Sequence, residues 1–166
     1  MPELPEVEVT RRGIAGPLRG AVVLAARLGK PLRWPLGVGP HTLAGCTVGE
    51  VARRGKYLWL PLQATTAARG GLLLHLGMSG SLGWWPQAGD PGPHDHFDLI
   101  TDRGTLRLND PRRFGAVVWS AALDQAPAAP LLARLGAEPF DSALTPQSFH
   151  AALQRRRTPI KSLLLA

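Results

Sequence analysis

Phe97-Asp98-Leu99-Ile100-Thr101-Asp102-Arg103-Gly104-Thr105-Leu106-Arg107-Leu108 reads as strand, turn and strand. β-Branched, aromatic and leucine residues flank an Asp-Arg-Gly centre that suits a hairpin turn. Runs of the same kind lie on both sides: Ala21–Leu28, Tyr57–Leu62 and Leu72–Leu76 before it, Ala116–Trp119 after it. Gly, Pro and Asp punctuate them. Six or more short strands at this spacing, between about residues 20 and 120, predict an antiparallel sandwich or barrel.

The flanks have a different period. Residues 5–19 read as a helix: Pro5 suits the first turn, Glu6 and Glu8 complement the positive end of the helix dipole, and Arg11, Arg12 and Arg19 follow. Val7, Ile14 and Leu18 form one apolar stripe, and Gly16-Pro17 offers an early stop. Residues 121–130, Ala-Ala-Leu-Asp-Gln-Ala-Pro-Ala-Ala-Pro, read as a linker. Thr145-Pro146 then caps a helix over 147–156, and Thr158-Pro159 repeats the signal before an apolar run to Ala166. The fold expected is mostly β with flanking helices: an antiparallel β-sandwich preceded by an N-terminal helix and followed by an incomplete helical segment. The division expected is 1–125 and 126–166.

Nineteen basic residues against twelve acidic give a net charge of +7, which points to a polyanionic partner, nucleic acid first. Only Lys30, Lys56 and Lys161 among the basic residues are lysines. A GC-rich coding bias accounts for the surface arginines and makes each lysine more informative. Cys46 is the only cysteine, so it forms neither an intrachain disulfide nor, by itself, a cysteine zinc site. His75, His94 and His96 lack a further ligand at a metal spacing. The first fifteen residues carry charges rather than a signal peptide, and no apolar run reaches membrane length. A cytoplasmic protein is expected.

Four segments carry candidate chemistry. Met-Pro-Glu-Leu-Pro-Glu opens the chain. Removal of Met1 would leave Pro2 as a free secondary amine beside the Glu3 carboxylate. An α-amino group titrates near ~8, so an appreciable fraction is a neutral nucleophile able to form an imine. The plain alternative is a helix start. Arg53-Arg54-Gly55-Lys56-Tyr57-Leu58 places three cations around a glycine, either a phosphate clamp or a basic turn. His75-Leu76-Gly77-Met78-Ser79-Gly80 makes a tight loop that either holds Met78 out as a wedge between base steps or tucks it into a core. Asn109-Asp110-Pro111-Arg112-Arg113-Phe114-Gly115 displays two arginines, which can bond a base edge or phosphate, and a phenylalanine that can stack into a gap.

Together these segments resemble the bacterial formamidopyrimidine-DNA glycosylases over essentially the whole chain. The resemblance rests on Pro2–Glu8, Gly55–Leu58, His75–Gly80, His94-Asp95-His96-Phe97-Asp98, Asp110–Gly115, Leu135-Gly136-Ala137-Glu138-Pro139 and Ile160-Lys161. It implies a bifunctional enzyme that excises oxidised purines such as 8-oxoguanine and formamidopyrimidines, then cuts the abasic strand by β- and δ-elimination. Pro2 would be the nucleophile at C1′ and Glu3 the general acid/base on the sugar, with Glu6 ordering the site. Lys56 would serve the catalytic site by contacting phosphate near the lesion. Met78, Arg112 and Phe114 would fill the hole left by the flipped nucleotide, with Arg112 reading the estranged cytosine. His75, His94 and Arg113 join the DNA-binding set, and Lys161 matches a lysine tied to oxidised purines. The target base must leave the stack, because otherwise neither amine nor acid reaches C1′.

The resemblance also implies what is missing. The family continues into a helix–two-turn–helix element and a four-cysteine zinc finger. Residues 126–166 hold only the linker and first helices of such a domain, so no cofactor is expected in this chain and activity is expected to be impaired. A fragment of a longer enzyme and a shortened reading frame both fit. The expected partner is double-stranded DNA carrying oxidised purines or abasic sites, with the protein a monomer near the bacterial nucleoid and no membrane. The alternatives are a non-catalytic damaged-DNA-binding fragment, an endonuclease VIII-like enzyme for oxidised pyrimidines, and a β-sandwich interaction module. Leu4 and the Met78, Arg112 and Phe114 set favour the purine branch. Of the remaining features, Trp84-Trp85 suits a sandwich edge or core, His94-Asp95-His96 a strand start with one histidine hydrogen-bonded, and Arg155-Arg156-Arg157 a solvated helix end.

Overall fold

The computed structural model describes residues 2–64, 70–154 and 156–164. Helix α1 spans Leu4–Leu18 and buries Val7, Ile14 and Leu18, the expected stripe. It is not stopped by Gly16-Pro17. Pro17 sits in the last turn, Arg19 N–H donates to Ala15 O at 3.1 Å, and Leu18 still reaches the core. A proline ring crowds the carbonyl four residues back and lacks an N–H, but here this falls in the last turn, one residue before the helix ends.

Among the described residues nine strands follow: β1 Val23–Leu28, β2 Thr47–Val48, β3 Ala52–Arg54, β4 Tyr57–Gln63, β5 Gly70–His75, β6 Ser81–Trp85, β7 Asp95–Thr101, β8 Gly104–Asn109 and β9 Ala116–Ser120. All their pairings are antiparallel. One sheet has the order β1-β7-β8-β6; the other runs β2-β4-β5-β9, with β3 also on β4. The opening stretch is the β7–β8 hairpin, with Thr101 opposite Gly104 across Asp102-Arg103. Phe97 and Leu99 face Leu108 and Leu106 across that pair, and all four side chains are buried. Leu58, Leu60 and Leu62 of β4, with Leu72 and Leu74 of β5 and Val117 of β9, supply the other half of the core. Period-2 alternation therefore determines the facing surfaces of a sandwich. On the opposite face of β7, the buried Asp98 carboxylate takes hydrogen bonds from Arg27 and Arg107 of the flanking strands, a row given by the register.

Beyond β9, the segment 121–130 is not all linker: helix α2, Ala128–Leu132, begins inside it and buries Ala128. Helix α3 runs Pro146–Leu153, capped by Thr145, whose hydroxyl accepts from Ser148 N at 3.0 Å. It ends short of 156 because Gln154 takes an extended ψ of 145°. Helix α4 spans Ile160–Leu164. Arg155, of the triple-arginine run, lies outside the described residues. Among the described residues, no helix is long and apolar enough to cross a membrane.

Candidate active site and nucleic-acid interface

The start of α1 organises the first group of residues. Glu3 is extended, with its carbonyl accepting from Val7 N at 3.0 Å, and its own N–H donates to Glu6 Oε2 at 3.0 Å. Glu6 thus orders the backbone directly after Pro2. The Glu3 carboxylate reaches Lys56 Nζ at 2.5 Å. Both side chains are well exposed, so the pair adds little stability, about 0.5 kcal/mol, but sets where the two charges stand.

Lys56 is carried by the turn between β3 and β4. Gly55 at φ +58° lets the chain reverse there. The neighbouring arginines do not form the free cationic clamp the sequence suggested. Arg53 donates to Glu8 and Glu138, and Arg54 donates to Glu138 and to the carbonyls of Leu135 and Gly136. Opposite charges brought from α1 and from the segment after α2 neutralise both. The Glu8 carboxyl is held down at about 2, first by the hydrogen bond from Arg11, against burial, and then by Arg12 and Arg53. Lys56 alone of this trio is left at the Glu3 end.

A chain of contacts runs from the strand after Lys56 to the loops of Met78 and Phe114. Tyr57 lies opposite His75 in the β4–β5 ladder, with ring centroids 4.7 Å apart. His75 Nδ1 accepts from Gly77 N at 3.0 Å, so the proton of the neutral ring sits on Nε2. Burial first, then the charges of Arg33 and Lys56, push its pKa below the ordinary histidine value. Gly77 has φ +64°, and a Cβ there would stand 2.4 Å from the Phe114 carbonyl carbon. The loop bearing Met78 and the loop bearing Arg112, Arg113 and Phe114 therefore touch backbone to backbone.

Met78 and Phe114 are 44% and 43% exposed, too open for the core reading of Met78. The Arg112 guanidinium carbon lies 4.9 Å from the centre of the Phe114 ring. Arg113 adopts φ +56°, a left-handed conformation unusual for a side-chain-bearing residue, and reaches Pro31 O at 3.4 Å. Arg112, Arg113 and Phe114 line an open groove of about 700 Å³ with Pro31, Leu32 and Arg33. Arg33 belongs to none of the four candidate segments. Its N–H donates to Gly115 O at 3.1 Å, and only its place in a proline-flanked Leu-Arg-Trp turn hints at a displayed cation.

His94 is exposed and His96 buried at the start of β7, as the strand-start reading had it. The hydrogen bonds there belong to Asp95, which accepts from Asn109 and Gly92, rather than to either imidazole. Trp84 and Trp85 lie on the edge strand β6, Trp85 exposed. Lys161 stands on α4, and no hydrogen bond or ion pair among the described residues joins it to the rest of the site. Among the described residues no three His, Cys, Asp or Glu side chains come together as a metal site, and Cys46 is buried with its thiol pushed up by that burial. The residues present do not fit a four-cysteine zinc site.

The sandwich thus carries an acid–lysine pair at the start of α1 and, linked to it through Tyr57 and His75, two loops that expose Met78, Arg112 and Phe114. Residues 1–117 match the family model for the formamidopyrimidine-DNA glycosylase N-terminal domain. The chain is 57% identical over 166 residues to the formamidopyrimidine-DNA glycosylase of Acidovorax sp. (strain JS42), covering all of this chain and 59% of that protein. It is 50% identical over 175 residues to that of Bordetella pertussis, covering 60% of it. Among solved structures, MutM (Fpg) of Thermus thermophilus superposes with a TM-score of 0.79 at 35% identity, over 99% of this chain and 57% of that one. Lactococcus lactis Fpg in complex with abasic-site DNA gives 0.82 at 27% identity, over 99% and 60%. The chain belongs to the formamidopyrimidine-DNA glycosylase family. It spans about three-fifths of the length of the curated relatives it matches.

Proposed function

We propose that this chain carries the reaction centre of a DNA glycosylase and abasic-site lyase for oxidised purines. The observation that carries the reading is the ordered start of α1: Pro2 adjoins Glu3, whose backbone is held by Glu6 and whose carboxylate is paired with Lys56. With Met1 removed, the Pro2 amine attacks C1′ of the damaged nucleotide. The N–C1′ bond forms, the glycosidic bond breaks, and the base leaves with its electron pair and takes a proton. Glu3 transfers protons at the sugar as its ring opens to the iminium. Loss of a C2′ proton then expels the 3′ phosphate, and a second elimination expels the 5′ phosphate.

Lys56 is suited to holding a phosphate beside this centre, exchanging its Glu3 partner for the DNA. Met78, Arg112 and Phe114 fill the space of the extruded nucleotide, and Arg112 faces the orphaned cytosine. His75 donates from Nε2, while His94 and Arg113 extend the contact surface. The proposed steps call on no cofactor. Residues 1–125 are read as the catalytic domain and 126–166 as the linker and first helices of the next one, with Lys161 contributing to oxidised-purine handling. The partner is duplex DNA with oxidised purines or abasic sites, met by a monomer in the bacterial cytoplasm.

Borohydride reduction of the iminium tests this. Chain lacking Met1, verified by mass, should be trapped covalently on abasic-site DNA, and Pro2→Gly should weaken the trapping. No adduct from folded, correctly processed protein would overturn the enzymatic reading and leave a non-catalytic binding domain.

A further inference from the structure

Asp110 is fully buried, and each of its polar groups is engaged by a different part of the interface. Its N–H donates to His94 O at 2.8 Å, and its carbonyl accepts from Arg113 N at 3.1 Å. Its carboxylate accepts from Ser79 Oγ at 2.7 Å on one oxygen and from Gly115 N at 2.7 Å on the other. One residue thus joins the loop before β7, the loop that presents Met78 and the loop that presents Arg112 and Phe114.

Resting on the DNA reading of this surface, we propose that Asp110 is a positioning residue that sets the three wedge side chains as one unit and thereby couples turnover to the base opposite the lesion. The geometry leaves little freedom for independent motion. Gly77 and Gly115 bring the two loops into backbone contact, and Cβ atoms at those glycines would stand 2.4 Å from the Phe114 carbonyl carbon and 3.0 Å from His75 O respectively. Arg113 is held at positive φ between its bond to Asp110 O and Gly115, itself bonded to the carboxylate. A non-glycine residue in that conformation persists only where surrounding bonds over-determine it. Ser79 transmits the constraint to Met78 by sequence adjacency, and Gly115 transmits it to Phe114 in the same way. A wedge built from two loops enters a base stack only if its parts arrive together, so the tie between them belongs to the discrimination step. The Pro2 chemistry lies outside it.

The test is borohydride trapping of the chain lacking only Met1, verified by mass, on two abasic substrates: single-stranded DNA, which has no opposite base, and duplex DNA with cytosine or adenine opposite. Ser79→Ala removes one bond of the clamp at an edge of the core and keeps the protein folded where Asp110→Asn fails to fold. A charge-assisted hydrogen bond is strong enough that its loss should lower the duplex-to-single-strand trapping ratio roughly tenfold and flatten the cytosine preference, with single-strand trapping unchanged. Ser79→Thr, which keeps the hydroxyl, should restore both. Equal losses on both substrates, or no loss on either, would overturn the positioning role. Wild-type protein that is trapped on neither substrate would overturn the Pro2 reading and this inference with it.

Discussion

Replacing Glu138 by alanine should destabilise the domain well out of proportion to a surface substitution. Glu138 lies past α2, eighty-three residues from the Gly55 N–H that donates to it at 2.5 Å. Orphaning that part-buried donor costs about 1–3 kcal/mol. Arg53 loses a 2.7 Å bond but keeps Glu8 and Gly55 O, so its share is about 1 kcal/mol. The Arg54 pair is more exposed, with a 3.2 Å contact, and contributes at most about 0.5 kcal/mol. The sum, about 3 kcal/mol, corresponds to a fall in Tm of roughly 6–12 °C for a domain of this size.

The pH dependence separates this account from a generic packing loss. Burial opposes ionisation of Glu138, but the hydrogen bonds from Arg53 and Gly55 and the Arg53 charge outweigh it and hold the carboxyl below its ordinary range. A carboxyl depressed in the folded state supplies stability that is present above its unfolded pKa of about 4.5 and is lost as pH falls through the lower folded value. Denaturation of wild type and Glu138→Ala should therefore differ most near pH 7 and converge as pH falls through the lowered folded value. A Tm within about 2 °C of wild type at pH 7, or a gap undiminished in acid, would refute the reasoning.

Gly77→Ala should force the Met78 and Phe114 loops apart, because its Cβ meets the Phe114 backbone at 2.4 Å at a φ of +64°. We expect a loss of roughly 1–3 kcal/mol in urea unfolding, and wild-type stability would contradict the loop contact. The His75 ring should carry its proton on Nε2 and titrate below the ordinary 6.5 in nitrogen-detected NMR. The stability it supplies as a neutral group is then complete above about pH 6.5 and lost as pH falls through the lowered value; a midpoint at or above that ordinary value would show that burial does not govern it.

What the sequence made legible divides by range. The hairpin around Asp102-Arg103, the strands of leucine and β-branched residues and the Val7, Ile14 and Leu18 stripe are local patterns, and each reappears as observed. Strands β2 and β3, two and three residues long, are too short to show a period, and β6 hides behind Gly83 in Ser-Leu-Gly-Trp-Trp. The exposure of Met78, Arg112 and Phe114 was legible because glycine, proline and aspartate mark the tight loops that carry them. The destination of a charge was not legible. Arg53 and Arg54 look like Lys56 in the sequence, and only the fold reveals that Glu8 and Glu138 claim the first two. Asp110 reads locally as a turn former, and nothing nearby in the chain discloses that its carboxylate ends at Ser79 and Gly115.

This division bears on how the proposed reaction is built. A nucleophile at the first residue left after Met1 removal faces an elementary difficulty, because chain ends fray and a frayed amine has no fixed approach to C1′. The structure meets this with bonds of graded range. Glu3 O accepts from Val7 N, Glu6 accepts from Glu3 N, and Val7 is buried, so the first turn of α1 anchors the backbone next to Pro2. Lys56 then holds the Glu3 side chain from a second element, and Glu138 fixes the turn that presents Lys56 from a third. Each constraint reaches farther along the chain than the last, from three residues to eighty-three. Loosening the outermost should leave Pro2 chemically intact but poorly aimed. Glu138→Ala should therefore slow imine formation on abasic DNA under conditions where the protein remains folded, whereas Glu138→Gln, which keeps an acceptor for Gly55 N–H, should slow it less. Equal rates for the two variants would place the control of Lys56 in the arginine pairs instead.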